Sequence, residues 1–153
     1  MVEICGLLQG SDEPQRDRAN FLKATKGDGI IVNLPTKKNN GQDLISIEEF
    51  GDIDLELEVM VATHSNSGVY LMGQYEIQVL DSWTKLTAKP GDMGGVYERW
   101  DDSKPEGQKG YEGYAPRQNV ARAPGIWQQL RVSFQAPRFN AQGEKTQNAK
   151  FVL

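Results

Sequence analysis

Several residue types on which other classes of protein depend are scarce in this chain. Its 153 residues include one cysteine, Cys5, and one histidine, His64. A single cysteine excludes an intrachain disulfide framework and a cysteine-based metal cluster. No apolar run approaches the ~20 residues of a membrane span, and Glu3 interrupts the short apolar stretch of residues 1–10. We therefore expect neither a membrane partner nor a signal peptide in this chain.

Clustered positive charge is also missing. The chain has 17 Lys and Arg against 21 Asp and Glu, which gives a formal net charge of −4 and a pI near 5.1. Lys37 and Lys38 form the only adjacent basic pair. Proteins that bind nucleic acids usually carry Lys and Arg clustered on one face, so no nucleic-acid partner is expected.

Glycine and alternating apolar residues are what the chain does have. Its 16 glycines predict many turns, and helical periodicity is hard to find. Across residues 53–61, apolar side chains alternate mostly with Asp and Glu, which is the period of a half-buried strand. Clusters of β-branched and aromatic residues between turn residues predict further strands at 29–34, 69–72, 75–80 and 126–135. The sequence therefore predicts an all-β fold.

The length suits one domain, and we assign residues 1–153 to a single β-sandwich. Residues 1–20 form its N-terminal segment, of which residues 11–20 are charged and polar and predict a loop. Residues 82–125 hold prolines and many glycines around a charged centre, and predict a long irregular excursion with one short strand near 95–97. Long loops in compact domains are often functional. We therefore expect part of the functional site on this excursion.

The predicted strand 75–80 carries the main candidate site. Its aromatic and β-branched side chains share one face, whereas Glu76 and Gln78 share the other. A carboxylate and an amide then stand about 6–7 Å apart, two strand rises from each other. Sugar hydroxyls both donate and accept hydrogen bonds, and this pair does the same. We expect this face to bind a sugar; a cross-strand pair that only fixes the register is the alternative.

Four short motifs in this part of the chain occur together in a known family. In this order, NSGVYL (66–71), YEIQVLDS (75–82), GGVY (94–97) and APGIWQ (123–128) resemble the 3-keto-disaccharide hydrolase domain. The resemblance spans roughly residues 50–153. It implies a concanavalin A-like jelly-roll β-sandwich and a carbohydrate small molecule as ligand. Members of the family are often periplasmic or extracellular, so the localisation of this chain stays open.

The family pattern also implies strands beyond the last residues of this chain. Members usually continue from the equivalent of residues 149–152 into a strand, an Asn-Gly turn and a further strand. We therefore expect the C-terminus to be truncated and the last strands of the sandwich to be missing. Because an unpaired sheet edge favours pairing with another strand, an oligomer, strand exchange or an N-terminal strand in the gap are the alternatives.

The activity that the resemblance implies is cleavage of a 3-keto-glycoside by a hydrolase or lyase reaction. The ketone acidifies the C2 proton, so a single base can remove it and expel the C1 substituent, after which water adds. The E-x-D-x-x-E string that retaining glycosidases of this fold commonly use is absent, which fits a one-base reaction. Glu76 and His64 are the alternative candidates for the base, since both residue types transfer protons in enzymes.

Other groups are expected to hold the substrate or a cofactor. If the carboxylate row of Asp54, Glu56 and Glu58 lines the concave side of the sandwich, its last two members face Glu76 and Gln78. Asp81, at a strand end, orients either a loop or a divalent metal ion, which would be the cofactor that polarises the ketone. The predicted substrate-binding residues are Gln78, Glu58, Tyr70, Trp100, Tyr111 and Tyr114, since sugar rings stack on aromatic side chains.

A non-catalytic carbohydrate-binding module of the same lectin-like fold is the competing function. Such a module also presents a polar sheet face beside aromatic loops. The sequence does not separate binding a sugar from cleaving it, so both functions stand at this point.

Overall fold

The computed structural model describes residues 30–33, 38 and 43–152 in full and residues 2–7 as backbone. In this part of the chain every regular element is a β-strand, and no helix is long and apolar enough to cross a membrane. The strands are Val2–Leu7 (β1), Leu44–Ile45 (β2), Ile53–Val59 (β3), Asn66–Leu71 (β4), Tyr75–Leu80 (β5), Arg99–Trp100 (β6), Gly110–Tyr111 (β7), Gln128–Gln135 (β8), Arg138–Phe139 (β9), Lys145–Gln147 (β10) and Lys150–Val152 (β11).

Two antiparallel sheets form the body of the protein. The first has the strand order β2-β1-β4-β5, and the second has the order β11-β8-β3. Two short hairpins, β6 with β7 and β9 with β10, accompany them. Met72 and Gly73, in the three-residue loop between β4 and β5, have φ values of 55° and 64°, and Gln74 N donates to Leu71 O at 3.1 Å. This turn fixes the register in which Tyr70 lies opposite Glu76.

The hydrophobic core lies between the two sheets. Leu71 and Ile77 of the first sheet pack with Val132 and Phe134 of the second. A neighbouring cluster adds the side chains of Val61, Val69, Val79 and Met93, packed against Leu55, Leu57 and Leu130. Truncation of a buried phenylalanine such as Phe134 typically costs about 3–5 kcal/mol. The packing of two antiparallel sheets against one another confirms the predicted all-β sandwich.

Most of the strands predicted from periodicity are confirmed, but one is wrong. Strand β3 alternates half-buried and exposed residues along its whole length, and the predicted strands 69–72, 75–80 and 126–135 correspond to β4, β5 and β8. Residues 30–33 of the predicted strand 29–34 are not in a strand, and Ile31 is 78% exposed. Strand propensity depends on a partner and a buried face, and these residues have no buried face. Residues 29 and 34, and most of the N-terminal segment 1–20, lie outside the described residues.

The excursion 82–125 is more ordered than its composition predicts. Residues 94–97 pair with β5: Gln78 N donates to Gly95 O at 2.9 Å, and Tyr97 N donates to Glu76 O at 2.9 Å. Val96 in turn pairs with Tyr114. This segment 94–97 thus extends the first sheet beyond β5, where sequence analysis predicted a short strand near 95–97.

Polar side chains hold the base of the excursion. Asn119 Nδ2 donates to the carbonyl oxygens of Ser82 at 2.5 Å and Lys85 at 3.0 Å. Asp92 is 1% exposed and accepts hydrogen bonds from Lys85 Nζ at 2.5 Å and Lys89 N at 2.8 Å. Since a buried charge must be paired, these contacts fix the loop that leads into segment 94–97.

Candidate active site

Glu76 occupies the face of the first sheet that points away from the core. On β5, Ile77 and Val79 belong to the two core clusters. Because side chains alternate between the two faces of a strand, Glu76 and Gln78 point away from the core. Gln78 is nevertheless only 3% exposed, and Glu76 is half-buried. Polar side chains on this outer face of the sheet are therefore partly or fully shielded from water.

Two neighbouring side chains hydrogen-bond the Glu76 carboxylate. Tyr70, directly opposite on β4, donates its hydroxyl to Oε2 at 2.7 Å. With its amide nitrogen turned towards the acceptors, Gln78 donates to Oε1 at 3.1 Å and to the carbonyl oxygen of Ser67 at 2.9 Å. Burial raises the pKa of Glu76, and the Tyr70 hydrogen bond opposes this rise without cancelling it. A raised pKa makes the ionised carboxylate a stronger base.

Gly68 leaves the space that this carboxylate fills. It lies opposite Gln78 on β4, and a Cβ at this position would meet the Glu76 side chain at Oε1, Cδ and Cγ. The carboxylate therefore lies across the backbone of β4. The glycine in NSGVYL has a steric reason here, inside β4 rather than before the predicted strand 69–72.

Tyr97 completes the row on the far side of Glu76, and sequence analysis did not include it among the site residues. Gly94 and Gly95 both lie opposite Gln78, and Gly94 has φ of 78°, which is a β-bulge of the G1 type. Beyond the bulge, Tyr97 pairs with Glu76, while its neighbour Val96 packs against the core. The adjacent glycines of GGVY were the sequence signal that could have revealed this bulge. We call the set Tyr70, Glu76, Gln78 and Tyr97 the Glu76 face.

His64 and Asp81 lie together, but at the other end of β5. His64 N donates to Asp81 Oδ2 at 2.9 Å, and Trp83 N donates to Oδ1 at 3.4 Å. Asp81 is five residues along the chain from Glu76, which corresponds to about 16 Å of extended strand. Both Asp81 oxygens accept backbone N–H groups, which is the turn-orienting alternative of the two that the sequence left open. The structure does not bring His64 to the Glu76 face.

Our expectation that Glu56 and Glu58 face Glu76 and Gln78 is wrong. Both glutamates are exposed on β3 and alternate with residues that pack into the core. Glu56 forms an ion pair with Arg131 Nε on β8 at 3.2 Å. Because each sheet turns its apolar face inwards, the carboxylate row of β3 and the Glu76 face lie on opposite outer surfaces of the sandwich. The substrate-binding role of Glu58 stays a prediction, on a surface separate from Glu76.

The predicted aromatic residues of the excursion have different surroundings. Tyr111 is stacked within its own hairpin, with Lys104 Nζ 4.0 Å and Arg99 Cζ 5.6 Å from its ring centre. Trp100 is 57% exposed and donates through Nε1 to Asp102 at 3.0 Å. Tyr114 is exposed beside segment 94–97, where it pairs with Val96. Tyr70 alone of the four predicted aromatic ligands contacts Glu76, and the sugar-binding roles of the others stay predictions.

Among the described side chains, no group of three His, Cys, Asp or Glu residues could hold a metal ion. Asp81, the predicted metal-orienting residue, already uses its two oxygens on backbone N–H groups. We therefore derive no reaction step through a metal.

A separate open cavity of about 360 Å³ lies on the second sheet. Its two carboxylates are engaged: Asp54 accepts from Ser133 Oγ at 2.6 Å, and Asp52 binds Arg138 through both oxygens. The hydrogen bond from Arg138 is the main cause that lowers the pKa of Asp52. These groups stabilise the sheet edge, so we do not place the site here.

Fold and site together define a β-sandwich protein with a half-buried, hydrogen-bonded carboxylate on one outer sheet face. The family model described as the 3-keto-alpha-glucoside-1,2-lyase-like domain matches residues 9–151. The chain belongs to this family, which confirms the resemblance found in its motifs. Neither the curated proteins nor the solved structures contain a significant match to the chain.

Proposed function

We propose that this protein cleaves 3-keto-glycosides by elimination, with Glu76 as the base. The carboxylate takes the proton from C2, which the ketone at C3 makes acidic. The electron pair forms the C1–C2 double bond as the C1–O bond breaks, and the leaving oxygen takes up the proton that Glu76 removed, which returns Glu76 to its carboxylate. Addition of water to the double bond then gives the hydrolysed sugar. The family description, which names a 3-keto-glucoside lyase, supports this class of substrate.

The observation that carries the proposal is the environment of Glu76. A general base works best when its pKa lies near the working pH, and burial raises the pKa of this carboxyl. Tyr70 and Gln78 hold its two oxygens from either side, so its direction is fixed before substrate binds. Such preorganisation lowers the reorganisation needed when a proton is removed.

A one-base elimination also agrees with where the other carboxylates lie. Retaining glycosidases need a second carboxyl about 5–5.5 Å from the first. The carboxylate row of Asp54, Glu56 and Glu58 is on the opposite outer surface of the sandwich. It therefore does not partner Glu76 across a glycosidic bond, whereas elimination from a 3-keto sugar needs one base.

The test is turnover of a matched pair of substrates by the wild-type chain. We expect release of methanol from methyl 3-keto-α-glucoside and none from methyl α-glucoside, because only the ketone acidifies C2. Binding of both sugars without turnover of either would overturn the proposal and would favour the carbohydrate-binding module.

A further inference from the structure

Tyr97 and Tyr70 flank Glu76 on its two neighbouring strands. Tyr70 pairs with Glu76 from β4, and Tyr97 pairs with it from segment 94–97. The two hydroxyls differ in what they contact. Tyr70 donates to the Glu76 carboxylate, whereas the Tyr97 hydroxyl has no hydrogen-bond partner among the described residues. The Tyr70 hydroxyl therefore binds the proposed base, and the Tyr97 hydroxyl is available to hydrogen-bond a ligand.

The proposed reaction needs a donor beside its base. When the C2 proton leaves, negative charge develops on the C3 oxygen, and a hydrogen bond aimed at that oxygen stabilises the transition state. Ketosteroid isomerase, for example, combines a carboxylate base with a tyrosine donor for this purpose. Because C2 and C3 are adjacent atoms, the base and the donor must stand side by side on the protein.

The pairing of Tyr97 with Glu76 supplies that arrangement. Side chains directly opposite each other in a sheet have Cβ atoms about 4.5–5.5 Å apart. The Tyr97 ring lies beside Gly91, because its Cε2 is 3.4 Å from the position that a Cβ on Gly91 would occupy. It is 39% exposed, so substrate can reach it. The bulge at Gly94 and Gly95 is what sets Tyr97, rather than Val96, on this face.

We propose that the Tyr97 hydroxyl donates a hydrogen bond to the C3 carbonyl oxygen of a 3-keto sugar bound against Glu76. This role rests on the proposed function and adds the electrophilic partner of its base. The proton stays on the phenol in the ground state and is shared with the enolate oxygen as Glu76 removes the C2 proton. No bond of Tyr97 is broken in the overall reaction.

The experiment compares Tyr97→Phe with Tyr75→Phe. Tyr75 is one residue from Glu76 on the core face, where its ring packs against Phe134 and Phe151, so it controls for loss of a hydroxyl nearby. Loss of an oxyanion donor typically lowers kcat about 10²–10³-fold. We expect this fall in kcat for Tyr97→Phe, with KM little changed and thermal unfolding unchanged. For Tyr75→Phe we expect rates near those of the wild type.

A second measurement isolates the proton transfer. A 3-keto-1,5-anhydroglucitol has no glycosidic oxygen at C1, so exchange of its C2 hydrogen in deuterium oxide reports enolisation without cleavage of a glycosidic bond. We expect wild type to catalyse the exchange and Tyr97→Phe to slow it as much as it slows turnover. Equal exchange and turnover in wild type and Tyr97→Phe would overturn the role of Tyr97 only. A wild type inactive in both assays would overturn the proposed function and this role with it.

Discussion

Tyr70 donates a 2.7 Å hydrogen bond to Oε2 of Glu76 from the directly opposite position of the neighbouring strand. Burial of the carboxyl raises its pKa, and this hydrogen bond lowers it, with burial the larger influence. The two residues therefore set the protonation of the proposed base together. The strength of that base depends on a contact that one hydroxyl provides.

Replacement of Tyr70 by Phe tests this contact. Burial raises the pKa of Glu76, and the Tyr70 hydrogen bond lowers it. Without this hydrogen bond the pKa should rise further, so the carboxyl should ionise at higher pH than in wild type. Activity needs the ionised base. We expect the acidic limb of the pH profile of kcat/KM on a 3-keto-glucoside to move to higher pH in Tyr70→Phe. A limb that stays in place or moves down would contradict the assigned contact.

Gly68 should not tolerate a side chain. A methyl group at this position would collide with Oε1 of Glu76 and displace the carboxylate. A shift of about 1 Å in a catalytic group can cost about 10²-fold in rate, so we expect at least this loss in Gly68→Ala. Gly51→Ala is the matched control, since a Cβ there meets no atom within 4 Å. Wild-type rates in both variants would show that Glu76 is not held against β4.

Ionised Glu76 should make the folded protein less stable. Because burial raises its pKa above the ordinary value of 4.5, the folded protein keeps a proton that the unfolded chain has released over the pH range above 4.5. Stability then falls as pH rises from 4.5 through the raised pKa. Glu76→Gln removes this dependence, so its melting temperature relative to wild type should increase across that range. Chemical and thermal unfolding from pH 4 to 8 measures the difference; a constant difference would argue against a raised pKa.

Asp81 should matter for stability through its two backbone contacts. Asp81→Ala leaves the N–H groups of His64 and Trp83 without their side-chain acceptor. Loss of such hydrogen bonds costs about 1 kcal/mol in free energy of unfolding. Asp81→Asn keeps one acceptor oxygen and should lose less. Urea unfolding of both variants gives the values, and equal stability of Asp81→Ala and wild type would show that these contacts contribute nothing.

Local patterns in the sequence predicted the parts of the structure that depend on neighbouring residues. Alternation along residues 53–61 and 75–80 gave the strands, and it placed Glu76 and Gln78 on one face. It did not show which surface of the sandwich Glu58 occupies, because that depends on how distant strands assemble into sheets. The strand predicted at 29–34 is wrong over residues 30–33 for a related reason, since propensity alone does not supply a buried face.

The missing member of the site was Tyr97. Simple alternation from β5 does not place it, because the bulge at Gly94 and Gly95 shifts the pairing by one residue. Bulges frequently re-aim a side chain beside a functional site. The sequence contained the adjacent glycines, but only the pairing with Gln78 shows which residue they bring next to Glu76.

The most direct test of Glu76 as the base is the kcat/KM of Glu76→Gln on methyl 3-keto-α-glucoside. Glu106→Gln, the same change at a side chain that is 88% exposed, is the control. General base catalysis contributes about 10²–10⁴-fold, so we predict a loss of that size in Glu76→Gln and none in Glu106→Gln. A Glu76→Gln variant with the wild-type kcat/KM would contradict the account, and His64 would then be the remaining candidate for the base.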